Sequence, residues 1–350
     1  MMKPETRLEW SFIGVATIQA IAILALQGAI LTEYLDWINP VVYQVPTSYV
    51  IPVTFAVSTI GFLFQVLLAI DSCLFKNKIQ IWMQCLINIC LSVASGMQYF
   101  QTKSAAESVS TGYDQFKNPF VNTDKLYWKM TGPMAIACIV VAIVGNICIC
   151  VLAFFLQMEF AWSVYEHISA DTKMRGRHRK FSAYLVFLKV SVLLIILFVI
   201  VYGFINVHYV QPEFGLTMAI MPIAIIHAIL ASICVKREYL PGMIVVITFH
   251  IGAVVYLVTR LLDLYGTGLK SRAVMKEEMA LFACFSLAFI SASIVAAVIC
   301  IFNFGQGLIP LLLGRSSNTA SPSTIDFTNH QHLGITSDAS ERSSKRFEMD

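Results

Sequence analysis

Eight long apolar stretches dominate this chain, over residues 11–31, 50–75, 80–100, 132–158, 182–208, 214–235, 240–261 and 278–302. Each is of the order of the roughly 20 residues that cross a hydrocarbon core. No Asp, Glu, Lys or Arg lies between Glu9 and Glu33, between Lys129 and Glu159, or between Met279 and Gly314. In lipid every backbone polar group must be satisfied internally, which leaves helices and closed barrels. Barrel strands are short and alternate in polarity, whereas these runs are long and apolar on every face. The expected fold is therefore all-α: a polytopic transmembrane bundle of about eight spans occupying 1–314. Composition closes the alternatives. Charged residues make up 13% and mean hydropathy is +0.73, against about 25% charged in soluble domains. Disorder throughout would need low hydrophobicity, and a net charge of +3 is no nucleic-acid signature. The stretch from Ser11 exceeds a signal-peptide core and no A-x-A-like site follows it, so it reads as a retained first span.

Orientation follows from the basic residues of the connections. With the N-terminus in the cytosol, that side holds 15 Lys and Arg, including Lys76, Lys78, Lys173, Arg175, Arg177, Arg179, Lys180, Lys236 and Arg237. The opposite side holds 8, and Lys189 lies within a span. Both termini are expected in the cytosol. Of the lumenal connections, 101–131 is the longest and is rich in aromatics (Tyr113, Phe116, Phe120, Tyr127, Trp128). Capping of the bundle is favoured for it over ligand binding. No N-x-[ST] sequon occurs, so N-glycosylation is not expected. Residues 315–350 contain 12 Ser or Thr and too few large apolar residues to offset the entropy of folding. They read as a disordered cytosolic tail, in which Ser321, Ser343 and Ser344 are candidate phosphosites.

Ionisable residues inside spans are functional candidates by default. Lys189 sits about 10 Å from the cytosolic end of its helix, within reach of snorkelling. Asp71 lies at a similar depth, so an ion pair between them is geometrically open. His227 and His250, about 12 and 15 Å deep by helical rise, belong to consecutive spans joined by a short turn. They are expected to be neighbours able to share a proton or a metal, although two histidines without a third ligand are a weak metal signal. Structural roles are favoured for all four. The basic run Lys173, Arg175, Arg177, Arg179 and Lys180 would attract anionic lipid at about 1 kcal/mol per charge, and ordinary positive-inside anchoring explains the same residues. Small residues recur every four positions in the eighth span (Cys284, Ala288, Ala292, Ala296, Cys300), the sixth (Ala224, Ala228, Ser232) and the first (Ala16, Ala20, Gly28). Such stripes let helix backbones approach. Packing within the bundle is favoured over a homo-oligomer interface.

Catalytic signatures are absent: there is no G-x-S-x-G, H-E-x-x-H, Walker A loop or G-x-G-x-x-G. The nine cysteines lie in or beside apolar stretches and read as buried thiols rather than a disulfide framework. No metal, cofactor or enzymatic activity is expected.

Local motifs add a family resemblance. Trp162-x-x-Tyr165-x-x-Ile168-x-Ala170-Asp171, Arg175 and Phe187-Leu188-Lys189 resemble an uncharacterised family of fungal Golgi-apparatus multi-spanning membrane proteins. So do Val235-Lys236-Arg237-Glu238 and Asn303-Phe304-Gly305-Gln306-Gly307-Leu308, the whole covering about Val151 to Leu312. In that family an aromatic and an Asp usually follow the Lys, where this chain has Val190 and Ser191. The resemblance implies a Golgi or related endomembrane address and no defined activity. The leading expectation is a non-enzymatic role in trafficking or membrane organisation. The rivals are a transporter of a small solute or ion, which requires the four ionisable residues to converge on one cavity, and a polytopic receptor.

Overall fold

A computed structural model describes residues 6–39, 42, 45–113, 117–122, 126–167, 172–208, 210–266 and 273–305, with side chains outside 161–175. Residues 315–350, with Ser321, Ser343 and Ser344, lie outside the described residues. Eight long helices follow in order: α1 Arg7–Trp37, α2 Val50–Leu74, α3 Lys78–Ser110, α4 Tyr127–His167, α5 Thr172–Tyr202, α6 Glu213–Lys236, α7 Leu240–Tyr265 and α8 Lys276–Ile301. A π-helical turn, Gly203–Val207, prolongs α5. All eight are long and apolar enough to cross a membrane, and the chain is an integral membrane protein. An even number of crossings puts residues 6 and 305 on the same side.

Local chemistry fixes several ends. Thr6 and Glu9 form a reciprocal capping box at the start of α1. Asn77 caps α3 by accepting from the Ile79 N–H at 3.1 Å. The tight α2–α3 and α6–α7 turns place Lys76 and Glu238 at φ of 46° and 51°.

The helices form two groups of four. In the first, α1 packs on α2 and α4, and α3 on α2 and α4; in the second, α5 packs on α6 and α8, and α7 on the same two. Contacts of α5 with α2 and α3, and of α8 with α3, join the groups. Thus α5 is the central post. In its most apolar stretch 72% of residues are buried, against 22% in α6 and α7, which present most of their surface to lipid.

Several helices overrun the apolar stretches. α3 continues ten residues past 100, because Ala106 and Val109 are buried in a second apolar cluster with Tyr34, Trp37, Val121 and Tyr127. At this end, lumenal by the charge rule, Trp37 stacks on Tyr127 at 4.6 Å and 9°. The Asn39 N–H donates to the Phe120 carbonyl and the Asn122 N–H to the Trp37 carbonyl, both at 2.8 Å. The described part of 101–131 is therefore partly helix and partly a cap over the first group. At the opposite end α4 runs to His167 and α5 starts at Thr172. The five basic residues expected in a loop lie on the first turns of a helix.

The stripe on α8 departs from expectation. Ala296 and Cys300 are buried, but Cys284 and Ala288 are exposed. The face packed inward is instead Met279, Phe282, Ala283, Ser286, Ile290, Ser293 and Ala297. That face is itself rich in small residues, Ala283, Ser286, Ser293 and Ala297, so α8 approaches α5 closely through a neighbouring face that the strict four-residue spacing does not mark. On α1 the stripe does pack inward, with Ala16 and Ala20 buried. All nine cysteines are free thiols, Cys148 and Cys284 being the exposed ones.

Candidate functional site

Among the described residues, four groups of polar side chains stand out inside the bundle. The first crosses the seam between the two helix groups. Lys189 Nζ on α5 lies 2.5 Å from Asp71 Oδ2 on α2, and Gln80 Nε2 on α3 donates to the same oxygen. Gln80 Nε2 also donates to the Leu68 carbonyl at 3.2 Å. Three helices are tied at one point near their cytosolic ends. The lysine and aspartate side chains are 39% and 28% exposed, so the pair is partly solvated.

The second group is a column of amides within the first four helices. Gln84 donates to the Gln65 carbonyl at 2.8 Å, and Gln65 Nε2 reaches Gln19 Oε1 at 3.5 Å. Gln19 and Asn88 exchange two hydrogen bonds, at 3.1 and 3.3 Å. Gln19 Nε2 also donates to the Ala142 carbonyl at 3.2 Å. That last contact needs Gly145 on α4, since a Cβ there would overlap the Gln19 carboxamide. A charge scan is blind to this column. Its signal was nonetheless present: Gln80, Gln84, Asn88 and Ser92 recur every four residues and so share one face of α3.

The third group sits where α3 meets α8. Glu278 is completely buried. Its Oε1 accepts from Gln98 Nε2 at 2.8 Å, and Gln98 Oε1 in turn accepts from the Ser58 hydroxyl at 3.3 Å. Glu278 Oε2 has no hydrogen-bond partner among the described residues. Counted from sequence, Glu278 marks a span boundary. The contact with α3, which continues to Ser110, turns that boundary into interior.

The fourth group is the histidine pair. His227 Nε2 lies 3.2 Å from His250 Nδ1, and His250 Nδ1 lies 2.8 Å from the Val246 carbonyl. A carbonyl only accepts, so His250 carries its proton on Nδ1. His227 Nε2 faces that same N–H as an acceptor, which leaves His227 protonated on Nδ1. The pair therefore keeps one acceptor, His250 Nε2, and one donor, His227 Nδ1–H, without a described partner. No group of three His, Cys, Asp or Glu able to hold a metal ion occurs among the described residues.

The four ionisable candidates thus meet two by two. Lys189 and Asp71 are absent from the wall of the cavity that His227 and His250 line. At the end that is cytosolic by the charge rule, two of the stretches that carry the family resemblance, 235–238 and the described part of 303–308, come together. Glu238 Oε2, in the α6–α7 turn, accepts from the Gly305 N–H at 2.7 Å. Gly305 has φ +73°, a conformation glycine adopts without strain. Arg177 and Lys180 of α5 stand around the same corner with Val235, Cys300, Asn303 and Phe304. Arg179 and Lys180 are exposed, while the side chains of Lys173 and Arg175 lie outside the described residues. At the lumenal end Arg260 bridges α7 to Glu213 of α6 at 2.9 Å and stands 5.4 Å over the Tyr202 ring.

The chain is 23% identical over 181 residues to a UPF0658 Golgi apparatus membrane protein of Schizosaccharomyces pombe. The alignment takes in 51% of this chain and 51% of that protein, so it spans about half the length of the curated relative it matches. Neither a family model nor a solved structure matches the chain.

Proposed function

We propose that this chain is a resident, non-enzymatic protein of the Golgi or a related endomembrane, serving membrane organisation or trafficking. One observation carries the reading: the four ionisable side chains that the sequence singles out, Lys189, Asp71, His227 and His250, close on one another in two separate pairs, and Lys189 and Asp71 are absent from the cavity the histidines line. A transport path needs its polar groups converging on one wet chamber. Here Lys189 and Asp71 act as a clamp between helix groups, and the chamber beside the histidines is apolar. The Golgi address rests on the name of the S. pombe relative and on the sequence motifs that resemble that family. The cytosolic corner, with exposed Arg179 and Lys180, is the surface offered to anionic lipid or cytosolic partners.

The test is a fluorescent fusion of the full chain in fission yeast lacking the relative, scored for overlap with Golgi markers and for retention of resident glycosyltransferases. Golgi residence that survives Lys189→Met is the expected result. Residence at the plasma membrane, or a proton- or solute-coupled flux in proteoliposomes that Lys189→Met abolishes, would overturn the proposal.

A further inference from the structure

Between α5, α6, α7 and α8 lies a cavity of about 460 Å³, inside the range of about 300–1,000 Å³ usual for small-molecule sites. Among the described residues its wall contains no Asp, Glu, Lys or Arg. It opens sideways: Ile223 on α6 and Phe249 on α7 line it and are 51% and 53% exposed, on helices whose outer faces meet lipid. Gly252 stands in the same wall, and a Cβ there would meet nothing within 4 Å. Mid-helix glycine is unfavourable relative to alanine, and here its absent side chain keeps space open.

We propose that this cavity binds a neutral membrane lipid of the sterol class, held through one hydroxyl by the His227–His250 pair. Three features choose the occupant. The mouth faces hydrocarbon, so the ligand arrives from the bilayer. With no charged residue in the wall, a phosphate headgroup would be buried unpaired, at prohibitive cost. The histidine pair leaves one acceptor and one donor, and a hydroxyl is the small group that answers both. Shape points the same way. From Thr248 to Leu257 the wall rises about 13 Å, so 460 Å³ corresponds to a section of roughly 35 Å². That is wider than one extended hydrocarbon chain and suits fused rings. The histidines lie at the end of the chamber nearer the α6–α7 turn, about 12 and 15 Å deep by helical rise, which places the hydroxyl near the middle of a hydrocarbon core of about 30 Å and the ring body in the half towards Leu257.

The site depends on bilayer insertion alone, so it stands or falls independently of the Golgi role. The experiment uses the purified full chain in phosphatidylcholine nanodiscs with tritiated cholesterol, its 3-methyl ether and oleyl alcohol as probes. Saturable binding of one cholesterol per chain is expected, at least tenfold stronger than that of the ether. Gly252→Leu should lower cholesterol binding at least tenfold without lowering the melting temperature, because its side chain enters open space and leucine favours the helix over glycine. His250→Leu should reduce cholesterol to the level of the ether; if that variant does not fold, His227→Leu, on the more exposed ring, replaces it. Non-saturable partitioning that Gly252→Leu does not alter would overturn the proposal. So would equal binding of cholesterol and its ether, or a preference for oleyl alcohol.

Discussion

Removing Lys189 tests the clamp between the two helix groups. The pair is intermediate in exposure. Exposed ion pairs are worth roughly 0–1 kcal/mol, and breaking a fully buried one costs about 3–5 kcal/mol. Lys189→Met leaves Asp71 held by Gln80 alone, and Asp71→Asn leaves Lys189 facing a neutral amide. Each should cost about 1.5 kcal/mol, and the double variant should recover about 1 kcal/mol of the sum. Gln80→Leu should couple to both, because its amide shares the Asp71 oxygen. At about 2 °C per kcal/mol for a chain of this size, single variants should melt about 3 °C lower. A thiol-reactive dye reads this directly, since Cys73, Cys85, Cys90, Cys138, Cys234 and Cys300 are buried until the bundle opens. Cys148 and Cys284 would first be replaced by Ser to remove the exposed background. Strict additivity of the two substitutions, or a neutral Lys189→Met, would refute the clamp.

Other outcomes follow from the same contacts. Gly145→Val should destabilise by about 2 kcal/mol through overpacking, and Gln19→Ala should relieve part of that by vacating the space. Gln98→Leu strands the buried Glu278 carboxyl and should cost about 2 kcal/mol or more; a Gln98→Leu/Glu278→Leu pair should recover most of it in the same melt. Deleting Ser316–Asp350 should leave detergent-extracted protein monodisperse on size exclusion, and aggregation of the truncated chain would contradict an independent tail.

The spans were legible because a run such as 130–158, free of charge, leaves a helix no other environment. Their ends were not. Hydropathy stops at residue 100, but α3 continues to Ser110 because Ala106 and Val109 find partners in the cap, which are distant in sequence. The same blindness hid Glu278, whose burial comes from a partner 180 positions away. The four ionisable candidates were visible as charges in apolar runs, and helical depth alone made each pair a reasonable neighbourhood. The amide column was missed for a different reason: Gln19, Gln65, Gln84 and Asn88 carry no charge, so they pass unmarked through a count of Lys, Arg, Asp and Glu. Only the four-residue spacing of Gln80, Gln84, Asn88 and Ser92 on α3 announces a polar face. On α8 the strict four-residue spacing pointed to a partly exposed face, since the small residues that meet α5, Ala283, Ser286, Ser293 and Ala297, recur at mixed three-, four- and seven-residue steps.

The eight-span architecture with both ends in the cytosol is tested most directly in sealed Golgi vesicles, whose cytosolic face is outward. Epitope tags at the N-terminus and C-terminus and one inserted after Lys117 would be exposed to protease without detergent. Digestion of both terminal tags with protection of the inserted one is the predicted result. Protection of either terminal tag, or digestion of the inserted tag in intact vesicles, would contradict it.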